Sequence, residues 1–308
     1  MEFVSRFSRR ACLLGGGALA LAGCGRKPAE PDAAESNAAA AEPKPAPASP
    51  RGSLEWAVGG DWRGNDARRD SARHPIETLR FFGLKPGMTV IEFWPGAGWY
   101  SQILAPVLTV GGGTLIAAGF EPGQADAATA QVQEAYQKQF SGRRDLYGSV
   151  KFASFGMKSG PLGQAGTADM ALFLLTLHSW MAAGLAEKAF RDAFQALKPG
   201  GVLGVEEHRA PAGGPQDPLA GSGYVQEAYV KQLAQEAGFH FDQAGEINAN
   251  PADTRDHPFG VWTLPPERRS APPGKPADPA FNHAPYDAIG ESDRMTLRFI
   301  KPAMKPPA

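Results

Sequence analysis

The chain has 308 residues, with 31 Lys and Arg against 32 Asp and Glu, a formal net charge of −1 at neutral pH. That balance leaves no basic footprint for nucleic acid, and none is expected as a partner. Cys12 and Cys24 are the only cysteines, so everything after residue 24 lacks a disulfide framework, a cysteine nucleophile and a cysteine-ligated zinc site.

Read in chain order, the first signal is an address. Ser8 to Leu14 reads S-R-R-A-C-L-L and runs into a short, glycine-diluted apolar stretch ending at Ala22. The pattern resembles a twin-arginine export signal and is too short to span a bilayer. Leu21 to Cys24, L-A-G-C, is similar to the bacterial lipobox, whose cysteine is lipidated after cleavage. The resemblance implies a signal peptide over 1–24, a lipid on Cys24, and a periplasmic or envelope protein held to the membrane. An ordinary cleaved signal with an incidental cysteine is the alternative. Residues 25–50 are alanine, proline and glutamate with almost no bulky apolar side chain, which predicts a disordered tether. Residues 51–308 are enough for one decorated α/β domain.

Within that domain, Trp62, Arg63, Arg68, Arg69, Asp70, Arg73 and His74 fall in an expected helix leading into Pro75 and Leu79. It reads as a charged outer face with internal Asp–Arg pairs, or as a lid bringing Arg73 and His74 to an anionic substrate. Strands are expected at Thr89–Phe93, Thr114–Ala118, Val150–Phe155, Met170–Thr176 and Val202–Val205, with helical stripes between them. A helix from about Gly223 to Ala237 and strands Phe239–Glu246 and Arg294–Ile300 complete the series. The alternation predicts a parallel sheet. Asn248 to Ser292 is long and proline-rich, and is expected to wrap the surface or cover the site.

The densest chemistry follows the first strand, where Val90 to Tyr100 reads V-I-E-F-W-P-G-A-G-W-Y. Gly96 and Gly98 permit a tight turn and close approach of a ligand, and the helix opening near Trp99 offers unpaired N–H groups. Glu92 is placed to accept from a ligand hydroxyl or ammonium. Further on, Leu197 to Gly201 spells L-K-P-G-G, expected to close a helix and open a strand.

Strand, acid, glycine turn and L-K-P-G-G together resemble the class I S-adenosylmethionine-dependent methyltransferases. Arg73 to Pro75, L-K-P-G-M-T-V-I-E, W-P-G-A-G-W-Y and the closing D-R-M-T-L-R-F-I-K-P resemble more narrowly an exported methyltransferase-like family. The resemblance implies a Rossmann-like seven-stranded sheet with an antiparallel final hairpin, S-adenosylmethionine as cofactor, and a small-molecule or envelope substrate. Carried over by position, Glu92, Trp94, Gly96, Gly98 and Glu121 would hold the cofactor. The chain departs from the pattern in three places. Trp94 stands where the family has glycine, so the turn is expected to be reshaped, with the ring flooring the pocket or packing in the core. The ribose-binding acid after the second strand falls at Gly119, leaving Glu121 two residues away. The adenine-facing acid after the third strand is replaced by Ser154, Phe155 and Gly156.

His178, just after the fourth expected strand, is the candidate catalytic base, because an imidazole titrates near neutrality. A structural strand-end histidine is the alternative. Glu206, Glu207, His208 and Arg209 end the fifth strand as a polar cluster that, with His178, would line a substrate pocket, form an ion-paired strand end, or hold a zinc- or manganese-type metal through two carboxylates and two histidines; the spacing matches no established metal motif, and no metal is expected. Arg73, His74, Trp99, Tyr100, Glu206 and His208 are candidates for a substrate pocket. A second class of function stays open: a non-catalytic ligand-binding or sensing lipoprotein on a repurposed methyltransferase fold.

Overall fold

The computed structural model describes residues 49–303. The export signal, Cys24 and nearly all of the tether lie outside the described residues. Three short helices come first: α1 (Leu54–Val58), α2 (Asp70–Arg73) and α3 (Pro75–Phe82). The helix expected over Trp62 to His74 is not one piece. Asp61–Arg69 is a 3₁₀ stretch kinked at Gly64, and the chain leaves α2 through His74 at φ 42° before Pro75 reopens a helix. Proline fits a first helical turn, where its missing N–H would be unpaired anyway.

Strands and helices then alternate. They are β1 (Thr89–Phe93), α4 (Ser101–Val110), β2 (Thr114–Phe120), α5 (Ala127–Gly142), α6 (Arg144–Tyr147), β3 (Lys151–Phe155), β4 (Ala168–Leu174), α7 (Leu177–Ala182), α8 (Ala186–Ala196), β5 (Leu197–His208), α9 (Glu227–Glu236), β6 (His240–Gly245), β7 (Pro258–Val261), α10 (Ala284–Ile289) and β8 (Arg294–Ile300). Seven of the strands form one sheet in the order β3-β2-β1-β4-β5-β8-β6. β3, β2, β1, β4 and β5 run parallel, and β8 is antiparallel to β5 and β6. This is the Rossmann-like seven-stranded sheet, mostly parallel with an antiparallel end, that the sequence led us to expect. Its order reverses between β1 and β4, so the ends of those strands and of β5 open onto a crevice.

Apolar layers cover both faces of the sheet. On one side Phe93, Phe155, Phe173, Trp180 and Phe190 pack edge to face, with centroids such as Phe93–Phe173 at 4.8 Å. Contacts of this kind contribute about 0.5–1.5 kcal/mol each beyond their burial. On the other, Leu79, Phe82, Ile103, Leu104 and Leu172 are fully buried. Among the described residues no helix is long and apolar enough to cross a membrane.

Two element boundaries differ from expectation in ways that shape the site. β4 stops at Leu174 because Leu175 takes a left-handed backbone, φ 59°, and its N–H turns to the Glu206 carbonyl at 2.8 Å. Thr176 then caps α7, so His178 sits in the first turn of a helix. β5 begins at Leu197 rather than Val202, taking L-K-P-G-G into the strand. The segment from Asn248 to Ser292 contributes β7 and α10, and its Val261–Glu267 stretch, with Glu291 and Ser292, does cover the crevice.

Candidate functional site

At the carboxyl ends of β1, β4 and β5 lies a cleft of about 360 Å³. The glycine turn forms one wall, Thr176, His178 and His208 a second, and Trp262 with Leu264 the cover; Arg69 and Arg73 enter from the N-terminal helices. The Thr176 hydroxyl is buried and has no hydrogen-bond partner among the described residues, leaving a polar atom for a ligand.

The turn after β1 takes a left-handed backbone at Trp94, φ 45°, a conformation that glycine adopts more readily. Such a backbone costs a non-glycine residue on the order of 1–2 kcal/mol. The ring offsets it: the indole stacks on Phe120 with centroids 4.1 Å apart, packs against Trp180, and donates Nε1–H to the Phe155 carbonyl at 3.0 Å. Trp94 therefore walls the cleft while spanning the ends of β1, β2 and β3. Gly96, φ 57°, faces open space, and an added β-carbon there would meet nothing within 4 Å. Gly98, φ 90°, faces inward, where a β-carbon would lie 2.6 Å from Phe140. Gly96 is thus the ligand-facing glycine and Gly98 the packing one.

Glu92 does not line the cleft. It is buried behind the turn, where Ser101 Oγ donates to its Oε2 at 2.5 Å and the Tyr136 hydroxyl sits 2.9 Å from Ser101 Oγ. Burial lifts its carboxyl to about 8, so it is protonated at neutral pH and does not act as a counter-charge. Glu121 is also outside: its Oε2 accepts from the Lys158 N–H at 3.0 Å, closing the turn after β3. At the end of β2 the Gln133 side chain brackets the Phe120 backbone, accepting from its N–H at 2.8 Å.

The polar wall is a connected network. His178 Nδ1 lies 2.9 Å from Glu207 Oε1; that carboxylate also accepts the backbone N–H groups of His208, at 2.9 Å, and His178, at 3.2 Å. His208 Nδ1 is 2.6 Å from the Ser292 hydroxyl. Burial first, then the neighbouring His178 and the guanidinium groups of Arg294, Arg73 and Arg69, hold His208 well below the usual imidazole range and therefore neutral. Arg73 donates to Glu291 Oε2 at 3.1 Å and lies over the Trp99 ring at 4.8 Å; Arg69 takes the other oxygen at 2.7 Å. Burial pulls the Glu291 carboxyl up, but Arg73, Arg69 and Arg294 together hold it below its ordinary value.

Of the residues proposed from sequence for the pocket, Arg73, Trp99 and His208 line the cleft with His178. Tyr100 and Glu206 lie beneath it, the Tyr100 hydroxyl donating to Glu206 Oε2 at 2.6 Å and Glu206 fully buried against Arg294. His74 is drawn away, with Nδ1 3.2 Å from Asn248 Oδ1. Sequence reasoning gave no role to Thr176, Glu291 and Ser292, and none to Glu207 on its own. Glu207 stood in the polar cluster, and its alternation with Glu206 along β5 was the available signal, since neighbours on a strand face opposite sides. The metal expectation also meets a different geometry: His178, Glu207 and His208 bring ligand-type atoms within 4.8 Å of one another.

No protein-family model and no curated protein matches the chain. Among solved structures it is similar to a SAM-dependent methyltransferase of Aquifex aeolicus, at 20% identity and a TM-score of 0.46 over 58% of this chain and 87% of that one. It is also similar to the [4+2]-cyclase SpnF, at 19% identity and a TM-score of 0.49 over 79% of this chain and 85% of that one. A third, the S-adenosylmethionine-dependent methyltransferase of Mesorhizobium loti, is 14% identical with a TM-score of 0.44, covering 73% of this chain and 96% of that one.

Proposed function

We propose that the chain is an S-adenosylmethionine-dependent methyltransferase of the cell envelope, acting on a small polar molecule or an envelope component. The observation that carries the reading is the juxtaposition in one cleft of the glycine turn and the His178 imidazole at a topological switch point. The envelope address rests on the leader sequence alone.

The residues fit the two ends of the cofactor unequally. Gly96, Ala97 and the buried Thr176 hydroxyl suit its methionyl end, and the Trp94 face suits a sulfonium, a contact of about 1 kcal/mol. Among the described residues no acid from the ends of β2 or β3 lines the cleft, since Glu121 accepts from the Lys158 N–H instead. Bound, the cofactor supplies an electrophilic methyl group.

The chain's own residues supply a base and its positioning. With Nδ1 held by Glu207, His178 keeps Nε2 as the basic nitrogen and takes the proton from an acceptor hydroxyl or amine, a contribution of roughly 10²–10⁴-fold. Arg69 and Arg73, tethered by Glu291, give the acceptor side a cationic rim. Trp262 and Leu264 add an apolar wall to the cleft.

A second reading, a ligand-binding lipoprotein on the same fold, is favoured because Glu92 and Glu121 lie outside the cleft and the cofactor is made in the cytoplasm. Transfer of labelled methyl to envelope extract by the wild type and by His178→Ala separates the readings. Transfer reduced at least about 100-fold in the variant supports the enzyme and its base. Equal rates remove His178 from the role, and no transfer by the wild type favours the binding protein.

A further inference from the structure

We propose that His178, Glu207 and His208 form a binding site for one first-row divalent cation on the inner wall of the cleft. Two imidazoles and one carboxylate bring their ligand-type atoms within 4.8 Å of one another. Glu207 Oε1 and His178 Nδ1, 2.9 Å apart, are spaced as adjacent ligands on a single ion with bonds of about 2.0–2.2 Å. The donors match the nitrogen and oxygen preference of zinc, manganese and iron(II) rather than the all-oxygen sites of calcium.

The surroundings are built as an outer shell. Glu207 is fully buried and is fixed by the backbone N–H groups of both histidines it would share the ion with. Ser292 holds His208 Nδ1 at 2.6 Å, which sets the ring and leaves Nε2 as its ligand atom. The two rings, with centroids 5.3 Å apart, both face the cleft, so remaining coordination positions open toward a ligand. Three nearby guanidinium groups do not oppose a cation unaided: Glu291 binds Arg69, Arg73 and Arg294, and Glu206 is paired with Arg294 as well. Loaded, the site makes His178 a ligand rather than a base and lowers the pKa of an acceptor hydroxyl bound to the metal.

The inference stands apart from the methyl-transfer reading, because cation binding is measured without cofactor or acceptor. The test is titration of the chelator-treated, untagged chain with cobalt(II) and then zinc. One cobalt per chain, with visible d–d absorption that zinc abolishes, is expected. Glu207→Gln and His208→Ala should weaken binding beyond about 100-fold, and Ser292→Ala by about tenfold. The absence of saturable one-to-one binding overturns the proposal, as does undiminished binding in the His178→Ala/His208→Ala double variant. A readout that needs no variant is zinc protection of His178 and His208 from diethylpyrocarbonate, mapped by mass spectrometry. Equal modification with and without zinc overturns it too.

Discussion

Glu92 makes the stability of the fold depend on pH in an unusual direction. Its carboxyl is lifted from 4.5 to about 8 by burial, against the opposing hydrogen bond from Ser101. Between those two values the native chain holds a proton that the unfolded chain has released. Stability contributed by the protonated group is therefore complete below about pH 4.5, falls as pH rises, and is lost once pH passes about 8. At 1.36 kcal/mol per pH unit the full loss is on the order of 5 kcal/mol, a large part of the 5–15 kcal/mol typical of a domain. Glu92→Gln keeps an acceptor for Ser101 and removes the titration. Urea unfolding of both proteins at intervals from pH 4.5 to 9 is the assay, with the difference between them isolating this one group. The variant should match the wild type within about 1 kcal/mol at pH 5 and exceed it by several kcal/mol at pH 9. A difference that does not change with pH would refute the buried, neutral carboxyl.

Trp94→Gly relaxes the left-handed backbone but removes the stack on Phe120 and the bond to the Phe155 carbonyl. It should cost about 2–4 kcal/mol in thermal unfolding and, with the ring face gone, weaken S-adenosylmethionine binding by about 1 kcal/mol in calorimetry. Gly98→Ala drives a β-carbon to 2.6 Å from Phe140 at φ 90° and should destabilise by about 2–5 kcal/mol, whereas Gly96→Ala, which meets open space, should cost only the backbone term of about 1–2 kcal/mol. Arg294→Met leaves Glu206 and Glu291 without their shared buried cation. Denaturant unfolding at neutral pH should show a loss of about 3–5 kcal/mol.

What the sequence disclosed was what local pattern encodes. β1 and β8 fall on the predicted limits because one is a short apolar run and the other a clean two-residue alternation, each bounded by breakers; the strand–helix alternation yields the parallel part of the sheet, and the resemblance supplied its antiparallel end. The errors lie where the backbone departs from pattern. Leu175 ends β4 with a left-handed residue that no propensity signals, moving His178 from a strand end to a helix. Trp94 takes a positive φ, which a large side chain disfavours; stacking on Phe120, 26 residues further along the chain and so outside any local pattern, holds it there. The cleft was half legible. Gly96, Trp99, Arg73, His178 and His208 were readable by their place after strands or before the sheet. Glu291 and Ser292 were not, because they reach the cleft through a long, aperiodic segment. Glu92 and Glu121 show the converse: position named them, but burial took Glu92 behind the turn and the Lys158 N–H took Glu121 to another loop.

The account turns on whether the cleft admits the cofactor beside Trp94. Calorimetric titration of S-adenosylmethionine and S-adenosylhomocysteine into the purified chain, with tryptophan emission followed in parallel, addresses it directly. Micromolar binding, an emission change absent from Trp94→Phe, and loss of binding in a folded Gly96→Arg variant are the predicted results. A folded wild-type chain that takes up neither ligand at millimolar concentration would contradict the account.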